Sequence, residues 1–424
     1  MRKCWFCPMG LSLFFLFFPG NLHAQTGRDR GDYLTVKIAV RGPGDEIYYW
    51  WGHIALVIDD AATGRSRFYD YGLFSFENDN FFRNFAFGRL LYSCGVSDAA
   101  ANYAGYKAAN RDITVYTLDL PAAAREKVWR FVEWNVRPEN RSYYYHHFRD
   151  NCATRVRDIV DMAVGGQFKE RFGEAPGRYT LRRHVRRHTW FSPFWDWALN
   201  FWMGRGIDRP ITVWEEMFLP SEIGARISGF TYTDDSGLER RLVSSVEVLN
   251  RAVDRPPVLD VPPAGWSREL VIGLLMAAFS LFFSVLEKKN PLPGRILRGL
   301  SQSLLGLFFG TAGSLLFFMV FFTNHDYTYG NINLLFINPL LLAAVPLGIV
   351  SALGGDAGRR FVSARLLRGL WTYVFLGGLF TMAIKALPGF YQQNQATLAL
   401  VLPFSLVLSF IPGWIHRKRK VRNG

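Results

Sequence analysis

The stretch RDNCATRVRDIVDMAVGG sets Cys152 ahead of an apolar face, Val156, Ile159, Val160 and Ala163, which repeats at helical spacing until Gly165 and Gly166 stop it. Asp150 or Asn151 is a natural N-cap, so the thiol falls in the first turn. A cysteine there has a chemistry of its own. Unpaired N–H groups and the helix dipole favour the thiolate, the nucleophilic form. The same N–H groups can receive the oxyanion formed when an acyl carbon is attacked.

Such a thiolate needs an imidazole to manage its protons. Outside the first residues the candidates are His53, His146, His147, His184, His188, His325 and His416. His416 lies in a basic tail, and His184 and His188 lie in the Arg-rich run RRHVRRH, which reads as surface. His146 and His147 precede the cysteine helix, and adjacent histidines project differently, so at most one can face the thiol. His53 opens the apolar run HIALVID at the mouth of a buried strand. It is either a packed strand residue or the base of a pair whose nucleophile rides a helix against that sheet.

The elements that must hold such a pair are legible. YLTVKIAV alternates as a strand, GPGDE breaks it, HIALVID is a buried strand, DAATGR a turn and SRFYDYG the returning strand. DITVYTLDL is another strand, and Pro121 suits the start of a helix with Val128, Phe131, Val132 and Asn135 at helical spacing. WFSPFWDWALNFWMG is either a core helix against a membrane bundle or a segment in the headgroup region, where Trp195 and Trp202 would meet lipid.

The chain also carries membrane signals. MRKCWFCPMGLSLFFLFFPGNLHA has Arg2 and Lys3, an apolar core and small residues near Ala24. That is a secretory signal pattern; an uncleaved anchor is the alternative, but the core is short for ~30 Å of hydrocarbon. Five segments suit spans: Leu270 to Leu286, Leu304 to Phe322, Leu334 to Val350, Leu370 to Leu387 and Ala396 to Ile411. The loops alternate between basic (EKKNPLPGRILRG, GGDAGRRFVSARLLRG, the tail) and free of Lys or Arg (TNHDYTYGNIN, PGFYQQNQ). The positive-inside rule puts the basic ones in the cytoplasm and the region from Gln25 to Arg268 outside it.

These readings divide the chain into a signal (1–24), an exported catalytic domain (25–254), a Pro-rich linker (255–268), five transmembrane helices (269–415) and a cytoplasmic tail (416–424). The net charge of +14 belongs largely to the cytoplasmic loops and tail, with an anionic membrane surface the nearer partner for the exported arginines; nucleic acid is not expected. No clustered metal-ligand set stands out and no cofactor is expected. Of four cysteines, Cys4 and Cys7 fall in the signal, leaving Cys94 and Cys152, which could form a disulfide in an exported domain.

GHIALVIDD with FYDYG, followed far downstream by YYYHHFRDNCATRVRDIV, resembles the circularly permuted papain-like group related to NlpC-type peptidases and lecithin:retinol acyltransferase, in which the histidine precedes the cysteine. Together with GRGID, WEEMFLPSEI and NHDYTYGNINLLFINPL, most of the chain resembles the Lnb-type bacterial lipoprotein N-acyltransferases. The resemblance implies an α+β permuted papain-like periplasmic domain before an all-α bundle, in the inner membrane with a cytoplasmic C-terminus. It implies Cys152 as nucleophile and His53 as base. Asp70 is either the residue that orients the imidazole or a turn or surface carboxylate, and Asn151 is a candidate for the oxyanion site or for capping the helix. The implied reaction moves an acyl chain from a phospholipid, through a thioester, to the N-terminal amine of a diacylglyceryl-cysteine lipoprotein. His325, Asn331 and Asn333, in an outward loop, either roof the site against substrate or pack and cap the loop.

Two rivals stand beside this reading. The same pair could cut peptidoglycan peptides as a membrane-anchored peptidase or amidase. Alternatively, a Cys94–Cys152 disulfide would make the chain a non-enzymatic membrane scaffold.

Overall fold

The computed structural model describes residues 29–76 and 80–422, with side chains described to residue 410. The expected signal, Cys4, Cys7 and the side chains of the basic tail lie outside those residues. In chain order the first elements are β1 (Leu34–Arg41), β2 (His53–Asp60), β3 (Arg65–Leu73), α1 (Phe81–Ala86), β4 (Leu91–Asp98), α2 (Ala99–Ala108), β5 (Ile113–Leu118), α3 (Ala122–Asn135) and β6 (Ser142–Tyr144). Then come α4 (Cys152–Ala163), α5 (Gln167–Phe172), α6 (Leu181–Thr189), α7 (Pro193–Trp202), α8 (Val213–Glu216), α9 (Pro220–Ile227), β7 (Thr231–Thr233), β8 (Glu239–Arg241) and β9 (Val243–Asn250).

Seven strands form one antiparallel sheet in the order β6-β4-β3-β2-β1-β5-β9. Alternation along β1 to β3 sends Leu34, Val36, Ile38, Ile54, Leu56, Ile58, Tyr69 and Tyr71 to one face, where they pack on Val156, Ile159 and Val160 of α4 and Val128 and Val132 of α3. Ala39, Ala55, Val57 and Phe68 take the other face, beneath Tyr103 and Tyr106 of α2. Burying each large aliphatic side chain is worth about 1.5–3 kcal/mol, so α4 is fixed chiefly by its apolar stripe.

The Arg-rich run departs from the surface reading. α6 is buried: Arg182 and His184 are fully covered, and Arg186, Arg187 and His188 nearly so. The arginines find acidic partners elsewhere in the chain, Arg182 with Asp208, Arg186 with Asp196 and Arg187 with Glu222, while the His184 ring bonds Glu216 at 2.9 Å and the His188 ring the Trp50 carbonyl at 2.9 Å. The charge is spent inside the domain rather than on a membrane surface, since buried ions persist only when paired.

The helical region follows: α10 (Ser267–Lys289), α11 (Pro291–Phe322), α12 (Ala344–Leu353), α13 (Ala357–Ile384) and α14 (Gln395–Arg422). Packing runs α10–α11–α12–α13–α14 and back to α10, closing a ring. Among the described residues α10, α11 and α13 are long and apolar enough to cross a membrane. The expected span from Leu334 to Val350 is not one helix. Short 3-10 turns cover Ile332–Leu335 and Pro339–Ala343, and only α12 is α-helical. Pro339 withholds an N–H there, Asn338 caps the Leu340 N–H at 3.1 Å, and Gly306, Gly310 and Gly313 let this irregular backbone approach α11.

Candidate active site

α4 delivers Cys152. The Asn151 side chain accepts from the Ala153 and Thr154 N–H groups, both at 2.9 Å, while its amide donates to the His147 and Phe218 carbonyls at 2.8 and 3.0 Å. Thr154 closes a capping box by accepting from the Asn151 N–H at 2.8 Å. Asn151 is thus a cap. Among the described residues no hydrogen bond occupies the Cys152 N–H, the first of the helix's free donors.

The β2–β3 hairpin delivers the partners. Ala55 lies opposite Asp70, which makes Asp70 the diagonal neighbour of His53. His53 Nε2 bonds Asp70 Oδ1. A register shift follows at Tyr71/Leu73, where Gly72 takes φ +83°. A Cβ on Gly72 would stand 3.9 Å from the Cys152 Cβ and 3.5 Å from the Tyr145 ring, so the bulge brings the end of β3 up to the thiol.

The electrostatics are mutual. Burial pushes the Cys152 thiol up, but the charge of His53 and a side-chain hydrogen bond to it outweigh that, and the thiol ends below its ordinary value; the Ile54 backbone also assists. Burial works against protonated His53, yet Asp70 and the Cys152 charge raise it overall against the opposing Arg41. Asp70, for all its burial, is held down to about 2 by His53 and Arg41. Each group favours the charged form of the next, so the cluster suits a thiolate–imidazolium pair.

Arg41 was not among the residues singled out by sequence. Its side chain is fully buried, with Nη2 at 3.4 and 3.5 Å from the Asp70 oxygens, and it stacks between Tyr106 at 3.9 Å and Phe68 at 4.8 Å. Its signal lay in the strand pairing, because Arg41 is the register partner of His53. Tyr145, next to Gly72, was also missed; its ring meets Tyr92 at 4.5 Å and His147 at 5.4 Å.

The other histidines are otherwise engaged. His146 Nδ1 accepts from the Phe148 and Arg149 N–H groups, and its Nε2 meets Asp326 at 2.8 Å. Burial draws His147 down to about 4, and its ring packs on Tyr145 and Tyr327. Cys94 and Cys152 are both free, which removes the disulfide scaffold; Cys94 donates to the Asn135 carbonyl at 3.2 Å.

Family comparison gives two matches in order along the chain: the Lnb N-terminal periplasmic domain over residues 24–187 and the Lnb transmembrane domain over residues 268–420. The chain belongs to the Lnb family. No curated protein and no solved structure matches it. As an Lnb-type protein it is a membrane protein with a periplasmic N-terminal domain and a transmembrane region, and its membership suggests an enzyme that modifies lipoproteins.

In this Lnb protein α7 and the loop after α11 join the two domains. Trp197 stacks on Phe201 and on Phe308 of α11, at 5.4 and 5.7 Å. Trp202 packs against the same cluster, while Trp195 is partly exposed beside Phe194. Asn331 donates to the Phe201, Trp202 and Met203 carbonyls at 2.8–3.2 Å, and Asn333 donates to Phe201 at 3.0 Å. His325 donates to the Phe85 carbonyl at 3.0 Å and accepts from the Tyr327 hydroxyl at 2.9 Å. The bonds of these three loop residues hold the domains together.

Proposed function

We propose that this Lnb protein is a lipoprotein N-acyltransferase working through a Cys152 thioester. The observation that carries this reading is the His53 imidazole set between Asp70 and a helix-start thiol, in a domain bonded to a membrane bundle. The Cys152 thiolate attacks the ester carbonyl of a membrane phospholipid. The sulfur–carbon bond forms, the carbon–oxygen bond breaks, and the departing lysophospholipid alkoxide takes its proton from the His53 imidazolium. The neutral α-amine of a diacylglyceryl-cysteine lipoprotein then attacks the thioester. A carbon–nitrogen bond forms, the thiolate leaves, and the surplus amine proton passes to His53. Asp70 orients the imidazole throughout, Asn151 fixes the helix turn, and the Cys152 N–H is the oxyanion donor at hand.

On this reading the exported domain has a permuted papain-like arrangement. The bundle counts five crossings in the inner membrane with the C-terminus cytoplasmic, residues 1–24 form a signal, and 255–268 link the two domains. Both substrates are anchored at the outer leaflet, so tethering the site there replaces a search in three dimensions by one in the membrane plane. Trp195, partly exposed on α7, borders the region where both lipids would meet the site, while Trp202, His325, Asn331 and Asn333 hold α7 and the outward loop in place behind it.

The test is mass spectrometry of lipoproteins from cells depleted of the protein and complemented with wild type or Cys152→Ser. The expected result is loss of the amide-linked chain on depletion, rescue by wild type and no rescue by the variant. Unchanged N-acylation with altered muropeptides would overturn the reading in favour of a peptidoglycan peptidase.

A further inference from the structure

The segment that leaves Cys152 along β3 turns at once into an aromatic lobe. Leu73 is exposed, and Phe76 is 52 % exposed. In α1, Phe82 is 70 % and Phe85 45 % exposed, an unusual cost in water for side chains of this size. Inward, the rings are continuous with the site: Phe76 meets Phe74 at 5.2 Å, Phe74 meets Tyr92 at 5.0 Å, and Tyr92 meets Tyr145 beside the thiol at 4.5 Å.

Outward, the lobe is joined to a membrane span. The Phe87 ring meets Phe318 of α11 at 5.5 Å, and the Phe87 carbonyl accepts from the Asn324 N–H at 2.9 Å. Gly88, at φ +70°, approaches Asn324 and His325 so closely that a Cβ would lie 2.8 Å from their backbone. The lobe is therefore held level with the end of α11, where Phe321 and Phe322 also point outward. Exposed Arg83 and Arg89 add positive charge suited to anionic headgroups.

We propose that α1 and its flanking aromatics are a wedge seated in the outer leaflet, whose ring path receives a phospholipid acyl chain and leads its ester toward Cys152. The lipid occupant follows from continuity with the span at Phe318, and the delivery role rests on the acyltransferase reading above. The exposed rings of Phe82 and Phe85 meet hydrocarbon, and the Tyr92–Tyr145 pair stands between that hydrocarbon and the sulfur.

The experiment places a nitroxide at Phe82→Cys in the full chain, with Cys4, Cys7, Cys94 and Cys152 all replaced by serine, in vesicles of phosphatidylethanolamine and phosphatidylglycerol. The expected result is collision with oxygen favoured over a water-soluble nickel chelate, as at a Phe321→Cys control. Preference for the chelate, as at Leu238→Cys in the exposed turn between β7 and β8, would overturn the wedge. In protein with native cysteines, Phe82→Ser/Phe85→Ser should lower acyl transfer from vesicle phospholipid at least tenfold, and Phe82→Leu/Phe85→Leu should restore most of it. Full activity in the serine pair would overturn the delivery role. The nitroxide result does not depend on the reaction, so loss of the acyltransferase reading would leave it standing.

Discussion

Arg41 and His53 are register partners on β1 and β2, and both converge on the Asp70 carboxylate. One carboxylate thus serves a permanent cation and a titrating one. Arg41 opposes protonation of His53, and Asp70 more than offsets it.

Removing Arg41 should therefore alter proton traffic rather than binding. In Arg41→Met the opposing charge is gone, so His53 holds its proton to higher pH and the alkaline limb of the rate profile moves upward. With Asp70 no longer anchored from behind, kcat should fall about tenfold while KM stays near wild type. A purely structural role would lower active enzyme but leave the pH profile in place.

Asp70→Asn acts in the opposite sense. His53 loses the charge that raises it, so the imidazolium is lost at lower pH; the Cys152 thiol, deprived of a cation, moves up, an effect that outweighs relief from the direct repulsion of the Asp70 carboxylate. Iodoacetamide alkylation of Cys152 should have a midpoint below the ~8.5 of a free cysteine in wild type and a clearly higher one in the variant. Coincident midpoints would refute the coupling.

The two described thiols should react very differently. Burial pushes Cys94 up to about 11, and it is hydrogen-bonded, whereas Cys152 is drawn down by His53. Peptide mapping after brief alkylation of native protein should find the label on Cys152, with Cys94 modified only after unfolding and without prior reduction.

Asn151→Ala removes an acceptor for two helix N–H groups and a donor to two carbonyls. Loss of the cap alone costs about 1–2 kcal/mol, and the stranded carbonyls add to it. A depressed thermal midpoint is expected, with Asn151→Asp recovering part of it because a carboxylate still accepts the N–H bonds. Equal midpoints in wild type and Asn151→Ala would show that the cap contributes nothing.

The strands around His53, the turn before Arg65 and the helix starting at Cys152 were legible because each is written in local periodicity and turn chemistry. Asp70 was reachable from the hairpin they imply. Arg41 was hidden, since it ends an ordinary alternating strand and only strand pairing brings it to the carboxylate. The buried arginines and His184 of α6 were misread for the same reason: their partners Asp196, Asp208, Glu216 and Glu222 lie well downstream of them. The interrupted span at Asn338–Pro339 was masked by its hydropathy, which reports burial in lipid or protein alike and not helical continuity.

The carbonyls of Phe201, Trp202 and Met203 tied to Asn331 and Asn333, with Gln392 adding a bond to Met203 at 3.2 Å, anchor the periplasmic domain to the bundle. A body so anchored does not swing out to collect its reactants; they must drift sideways to it. On the acyltransferase reading, turnover should then track the two-dimensional crowding of donor in the bilayer, falling when inert lipid is mixed into the same membrane and indifferent to the volume of buffer around it.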